Sequence, residues 1–399
     1  MKIIDRSGPG MKLFRGEGPW AVLVPLRFAL AGVYRLFLAL RPKCALAFRA
    51  ASVGSAPGGD GRAGSAPLVI SVGNLEAGGG GKTPCVMLVA ETIVERGGVP
   101  VVLSRGYRGT AARLNAAFAL PGDLQVNEDT LVTSTLTYGA FLRKLRASSA
   151  SPGLSALAHA VGDEAVLFHQ RGIPVVIDRD RARGAAWALE RFSPTHLILD
   201  DAYHIFSVRK HLDILLLDWE RPFGNGHLLP LGTLRETPSA ASRAGVVVFT
   251  RAAEARVPRE ARRFVEGKHV FFGTHEPVDL LRQSEEALPL SFIRDRAVSI
   301  FSGIARPGSF ERTIASLGAR PTAAYRFADH HVYRSADIAR MLRASGPKEI
   351  YVTTEKDWVK ASGLFPRDVD VLALRIKMRV SPMERLSELL FHLPDPDLD

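Results

Sequence analysis

From residue 68 onward the chain alternates between short apolar runs and longer amphipathic stretches. "PLVISVGN", "VPVVLSRG", "IPVVIDRD", "THLILDD", "LDILLLD" and "AGVVVFT" read as buried-type strands. "TPCVMLVAETIVERGG", "GDEAVLFHQRG" and "RARGAAWALERF" lie between them and read as helices. Strand and helix in turn predict an α/β fold built on a parallel sheet covered on both faces. The pattern lapses over 110–160, where "SSASPGLSALAH" reads as a small, polar surface insertion. It resumes from about 252 with "HVFFGTH", "RAVSIFSGIA", "EIYVTT" and "VDVLALRI" as strands and "RPGSFERTIASLG" and "SADIARMLRASG" as helices. The expected organisation is a main domain over 68–251 and a smaller α/β domain over 252–392. Residues 51–67, rich in Gly, Ala, Ser and Pro, read as a flexible linker.

The first strand–helix junction carries "SVGNLEAGGGGKTP", Ser71 to Pro84. Reading the phosphate-loop pattern backwards from Lys82 puts Glu76 where the first glycine belongs. The context is nonetheless the one such a loop requires, an apolar strand before it and a helix after it. Gly78, Gly79, Gly80 and Gly81 let backbone N–H groups turn inward into an anion site, and the helix N-terminus adds partial positive charge. Ala77 and Pro84 flank that cradle. Lys82 can reach the β- and γ-phosphates of ATP, and the Thr83 hydroxyl can ligate Mg²⁺. Asp200 and Asp201, ending "THLILDD", could hold the same ion as a Walker-B group does. The bland readings are a plain glycine turn and capping aspartates. A nucleotide site is favoured because four glycines, a lysine and a threonine would otherwise have to share the right strand–helix junction by chance. No Asn-Lys dipeptide for guanine reading occurs, and no early loop lysine of the ParA kind, which leaves a kinase or an ordinary ATPase.

The net charge of +11 is placed unevenly. Residues 1–50 hold nine Lys and Arg against Asp5 and Glu17, a net +7. A nucleic-acid binder would more often spread a basic face over its fold, so no nucleic-acid partner is expected. The excess flanks "WAVLVPLRFALAGVYRLFLAL", in which Arg27 and Arg35 leave too short an apolar run to span a bilayer. An interfacial helix fits better, with Trp20, Leu23, Leu26, Leu30, Val33, Phe37 and Leu40 on one side and arginines reaching toward anionic headgroups. The alternative is a core helix with snorkelling arginines. Two cysteines, Cys44 and Cys85, build neither a disulfide framework nor a metal site, which favours a reducing compartment.

The ordered set "SVGNLEAGGGGKTP", "VVLSRGYRG", "GDEAVL", "PVVIDRDR", "LILDDAYH", "LDILLLDWERPFGNGHLLPLGTLRE", "FSGIARPGSF", "FADHHVY" and "TTEKD" resembles the lipid A 4'-kinases (tetraacyldisaccharide 4'-kinases). That family's own loop also lacks the first glycine. The resemblance implies transfer of the ATP γ-phosphate to the 4'-hydroxyl of a lipid A disaccharide 1-phosphate precursor. It implies two α/β domains closing over a cleft, and peripheral or monotopic attachment at the cytoplasmic face of the inner membrane. Asp163 of "GDE" looks like the family's catalytic carboxylate, with Glu164 beside it. His330 of "FADHH" looks like the histidine that faces it; chemistry alone does not separate it from His331, and the order after Asp329 favours His330. Glu236 of "LRE" looks like a further acid near Mg²⁺. Where the family usually reads Asp-Asp-Gly-Phe-Gln-His, this chain has "DDAYHI", so its histidine is missing unless His204 substitutes one residue early. Rival readings are a P-loop kinase or ATPase for another substrate, and a degenerate homologue that binds nucleotide or lipid without transfer. Oligomeric state is left open.

Overall fold

The protein is described by a computed structural model over residues 1–6, 30–35, 38, 66–110, 118–120, 132–133, 154–345 and 349–392. Residues 51–65 of the expected linker, and Trp20, Leu23, Leu26, Phe37 and Leu40, lie outside the described residues.

The first lobe is a parallel sheet. Its strands are β2 (Leu68–Asn74), β3 (Pro100–Ser104), β6 (Val175–Ile177), β7 (His196–Asp200), β8 (Leu212–Asp218) and β9 (Val246–Thr250). Their spatial order is β9-β8-β2-β7-β3-β6. Helices α1 (Lys82–Glu95), α3 (Asp163–Gln170) and α4 (Arg181–Phe192) cross between strands. With helices on the sheet faces, the strands run as near-continuous Val, Ile and Leu. Two short strands, β4 (Phe118–Leu120) and β5 (Val132–Thr133), extend the far edge antiparallel.

Residues 154–161 depart from the expected surface insertion. They form helix α2, in which Leu157, Ala158, Ala160 and Val161 are buried. The small residues that read as loop allow close packing against α3 and against α8 (Glu355–Ala361) of the second lobe. Gly162, at φ +95, makes the break between α2 and α3.

The second lobe contains β12 (Ala297–Ser302), α6 (Pro307–Ser316), β13 (Arg320–Phe327), α7 (Ser335–Ser345), β14 (Ile350–Thr354) and β15 (Val371–Ser381). A short helix α5 (Arg262–Val265) precedes the link, β10 (His269–Arg282), and β11 (Ala287–Leu288) pairs antiparallel with it. The start of β10, His269–Gly273, pairs parallel with β9, and Phe272–Arg282 pair antiparallel with β15. One sheet therefore runs through both lobes. Helix α9 (Met383–Leu389) returns to the first lobe, where the Leu390 carbonyl meets His196 Nε2 at 3.1 Å. A single apolar core joins Ile70, Val86 and Ile198 to Tyr325, Trp358, Leu386 and Leu390.

The N-terminal region is not helical throughout. Lys2–Arg6 form β1, parallel to Ala323–Phe327 at the open edge of the second lobe. Residues 30–35 are helical, with Leu30 and Val33 exposed at 47% and 66%. Tyr34 Oη donates to the Arg235 carbonyl at 2.9 Å, which ties this helix to the first lobe. Among the described residues no helix is long and apolar enough to cross a membrane.

Candidate active site

The glycine loop leaves β2 and opens α1, with Gly78 at φ +116 and Gly81 at φ +82, conformations that favour glycine. Asn74, the last residue of β2, organises it. Its amide Nδ2 donates to the Gly78 carbonyl at 3.3 Å, and its Oδ1 accepts from Lys82 Nζ at 3.1 Å. Lys82 also lies 3.6 Å from Asp201 Oδ1 and is 10% exposed, far more enclosed than a solvated loop lysine. The imidazole of His275, from β10, packs on the loop: a Cβ at Gly81 would stand 3.1 Å from its Nε2. Burial, then the charge of Arg251, pushes His275 down to about 4.

Glu76, in the place of the missing glycine, has a job of its own. Its Oε1 accepts from Thr233 Oγ1 at 2.7 Å, Ala77 N donates to the Thr233 carbonyl at 2.7 Å, and Arg235 N donates to the Leu75 carbonyl at 2.7 Å. The loop's first residues are thus stitched to the segment "GNGHLLPLGTLRE". Gly224 in that segment leaves room for the carboxylate, since a Cβ there would lie 2.1 Å from Glu76 Oε1.

Asp163 and Glu164 begin α3, their carboxylates close to the positive end of its dipole. Glu164 Oε1 accepts from Thr83 Oγ1 at 3.0 Å and from Lys356 Nζ at 2.5 Å. Asp163 is 5% exposed. His330 Nδ1 lies 3.0 Å from its Oδ2, and Lys360 Nζ 3.3 Å from the same oxygen. Burial pushes Asp163 up, but the His330 hydrogen bond and the charges of His330, Lys360 and Lys356 outweigh it and hold the carboxyl well below the usual range. His331 faces elsewhere, stacked on Phe327 and 3.1 Å from Asp337 Oδ2.

The first lobe grips the His330 backbone. Arg108 Nη1 donates to the carbonyls of Asp329 and His330 at 3.0 and 2.9 Å, and Tyr107 meets the His330 ring edge-on at 5.1 Å. Gly109 lets this loop lie against the end of α2, because a Cβ there would fall 2.7 Å from the Ala160 carbonyl oxygen. Of the seven non-glycine residues at positive φ among the described residues, Arg108, Asp201, Arg251 and His330 all border this site. Each such residue costs on the order of 1–3 kcal/mol, and strain of that kind concentrates where geometry serves function.

Asp200 and Asp201 end β7 beside the loop, because β7 is the direct neighbour of β2. Asp200 Oδ1 is buried with no hydrogen-bond partner among the described residues. Burial, then the charges of Glu164 and Asp201, push Asp200 up to about 7 against the pull of Lys82 and Arg181. Asp201 differs: although burial raises it, Lys82, Arg235 and His204 hold it down, with Arg235 Nη1 2.8 Å from both of its oxygens. Its neighbour His204 thus bears on the acidic pair despite the altered motif. Tyr203 is buried and its hydroxyl donates to the Ala240 carbonyl at 2.6 Å. Glu236 is bound to Arg243 Nη2 at 2.9 Å, in the company of Tyr203 and Lys210. Among the described residues no three His, Cys, Asp or Glu side chains gather at metal-holding spacing.

Sequence reasoning assigned no role to Arg108, Lys356, Lys360, Asn74 or His275, although "SRGYRG" and "TTEKD" stood out as motifs. The available signal was Arg108 in a short charged loop and two lysines four apart, Lys356 and Lys360, on one helix face; nothing marked Asn74 or His275.

Residues 45–120 and 137–393 match the family model described as tetraacyldisaccharide-1-P 4'-kinase. The tetraacyldisaccharide 4'-kinase of Anaeromyxobacter sp. (strain Fw109-5) is 33% identical over 387 residues, covering 94% of this chain and 92% of the relative. That of Anaeromyxobacter dehalogenans (strain 2CP-C) is 38% identical over 303 residues, covering 73% and 72%. A crystal structure of LpxK from Aquifex aeolicus in complex with ATP superposes with a TM-score of 0.65 at 27% identity, covering 93% of this chain and 99% of that one.

Proposed function

The chain belongs to the tetraacyldisaccharide-1-P 4'-kinase family and is an ATP-dependent kinase acting on a lipid A precursor, and we propose that its lobes divide the work. Residues 68–251 hold the nucleotide, and residues 252–392 deliver the histidine that completes the site. The observation that carries this division is the contact of Asp163 with His330, made by residues from both lobes.

In the transfer, the 4'-hydroxyl oxygen bonds to the γ-phosphorus while the bond to the β,γ-bridging oxygen breaks. ADP leaves with that electron pair, and the hydroxyl proton passes to Asp163. The depressed pKa keeps Asp163 ionised and ready to accept at neutral pH, at some cost in basicity. His330 Nδ1 holds the carboxylate in place. Lys82 and the N–H groups of Gly78 to Gly81 bind the phosphates, with Ala77 and Pro84 at the flanks.

Mg²⁺, when bound, neutralises phosphate charge and aligns the leaving group. Thr83 and Asp200 fit it best, Asp200 because its buried Oδ1 lacks a partner among the described residues. Two protein oxygens suffice for an ion that keeps several waters and phosphate ligands. Asp201 and Glu236 are already engaged by Arg235 and Arg243.

The helix at 30–35 lies on the anionic cytoplasmic face of the inner membrane, with Leu30 and Val33 toward the acyl chains. Its Tyr34 tie to Arg235 keeps that surface beside the cleft. The test is transfer of labelled γ-phosphate from ATP to a tetraacyldisaccharide 1-phosphate. Label at the 4' position with the parent, and its loss in Asp163→Asn, are expected. No labelled lipid from folded parent protein would overturn the reading.

A further inference from the structure

Beside the phosphate loop lies a cavity of about 520 Å³ lined by four arginines, Arg251, Arg306, Arg312 and Arg326. Two of them converge on one carboxylate. Asp218 Oδ2 accepts from Arg251 Nε at 2.8 Å and from Arg306 Nη1 at 2.6 Å. Arg306 Nη2 also lies 3.8 Å from Glu76 Oε2, in the phosphate loop itself. Arg326 is already satisfied by a two-pronged contact with Glu311.

Arg306 comes from the second lobe, on the segment after β12. Its neighbour Ala305 caps the loop: Cβ atoms placed on Gly78 and Gly79 would stand 3.6 and 3.3 Å from the Ala305 Cβ. The same segment supports the base pair of the site, for the Gly303 carbonyl accepts from His330 N at 2.9 Å. One piece of the second lobe therefore carries both a support for His330 and an arginine at the tip of the loop.

We propose that Arg306 is a catalytic residue that leaves Asp218 and Glu76 and donates to the oxygens of the γ-phosphoryl group during transfer. This rests on the kinase reading above. The charge of a loose phosphoryl-transfer transition state spreads over three equatorial oxygens, and a planar guanidinium fork matches them. Arg306 can move because its side chain is 39% exposed and, among the described residues, its ion pairs are one with Asp218 and one long contact with Glu76. Arg251 is the anchored member. It is bound through two nitrogens to Asp218, with Nη1 3.5 Å from the Gly79 carbonyl, so Asp218 keeps a cation when Arg306 departs.

The experiment compares full-length parent, Arg306→Ala and Arg306→Lys in transfer to the disaccharide 1-phosphate. Equilibrium binding of ATP and of ADP with aluminium fluoride is measured alongside. Loss of a transition-state contact should cut kcat about 10²-fold or more in Arg306→Ala. ATP affinity should stay close to the parent's, while affinity for the planar phosphoryl mimic falls with kcat. Arg306→Lys, which keeps a charge but not the fork, should fall between. Added guanidinium should raise the rate of Arg306→Ala and not that of Lys82→Ala. Near-parental kcat in folded Arg306→Ala, or a loss confined to ATP binding, would overturn the assignment. An inactive parent would instead sink the kinase reading on which it rests.

Discussion

Thr83 Oγ1 donates to Glu164 Oε1 at 3.0 Å, so the hydroxyl next to the phosphate-loop lysine is bonded to the neighbour of the proposed base. Lys356 of the second lobe ends on the same Glu164 oxygen. Nucleotide loop, helix α3 and second lobe are thereby joined at one atom. Thr83→Ser keeps the hydroxyl and should retain turnover to within about tenfold, whereas the isosteric Thr83→Val should lose about 10²-fold. Steady-state transfer rates check this; near-parental turnover in Thr83→Val, or a loss in Thr83→Ser as large as in Thr83→Val, would contradict the role given to the hydroxyl.

Gly81 tests the loop from another side. An alanine there meets a backbone at φ +82 and the His275 ring at 3.1 Å. The left-handed conformation alone costs about 1–2 kcal/mol. Gly81→Ala should lower the denaturation midpoint and weaken ATP binding together. Lys82→Ala should cut turnover about 10²-fold or more while the fold survives.

The parallel sheet and the loop were legible in the sequence for a plain reason. A buried parallel strand is a run of Val, Ile and Leu, and a loop that must adopt positive φ against a helix start is rich in glycine. The Asp163–His330 partnership was not legible that way; it came through the resemblance, since nothing in local periodicity ties residues 167 positions apart. Arg108 was hidden for the same reason, its carbonyl partners lying 221 and 222 residues away. Helix α2 was misread because the small or polar Ser, Ala and Gly residues leading into it look like loop, and its apolar side is explained only by the helices it packs against. The edge strand Lys2–Arg6 was absorbed into a helical region, although its pairing depends on an open edge formed more than three hundred residues later.

His275 makes stability depend on pH. The unfolded chain takes up a proton at this residue near 6.5, its ordinary value, and the folded chain only near 4. The unfolded state therefore binds more protons within that window, and stability falls as pH drops from about 6.5 to about 4, with no further loss from this group below. Denaturation midpoints across that range should show a decline that His275→Gln flattens. A parallel decline in parent and variant would assign the acid sensitivity to other groups.

The membrane proposal is best tested on the exposed face, because a deletion of residues 1–50 would also remove the edge strand. Leu30→Glu with Val33→Glu reverses the apolar character of the described helix while leaving Tyr34 in place. Co-sedimentation with anionic vesicles should fall, and salt should weaken binding by the parent. Undiminished sedimentation of the double variant would move the membrane contact elsewhere.

The account stands on Asp163 and His330 acting as one unit across the two lobes. The direct measurement is kcat for Asp163→Ala, His330→Ala and the double variant, with ATP binding as a control for folding. Loss of a positioned base typically costs 10²–10⁴-fold, and groups that act as a unit are non-additive. Each single substitution should therefore be severe, ATP binding should stay close to the parent's, and the double variant should be little worse than the worse single. Fully multiplicative losses, or a near-normal rate in Asp163→Ala, would contradict the account.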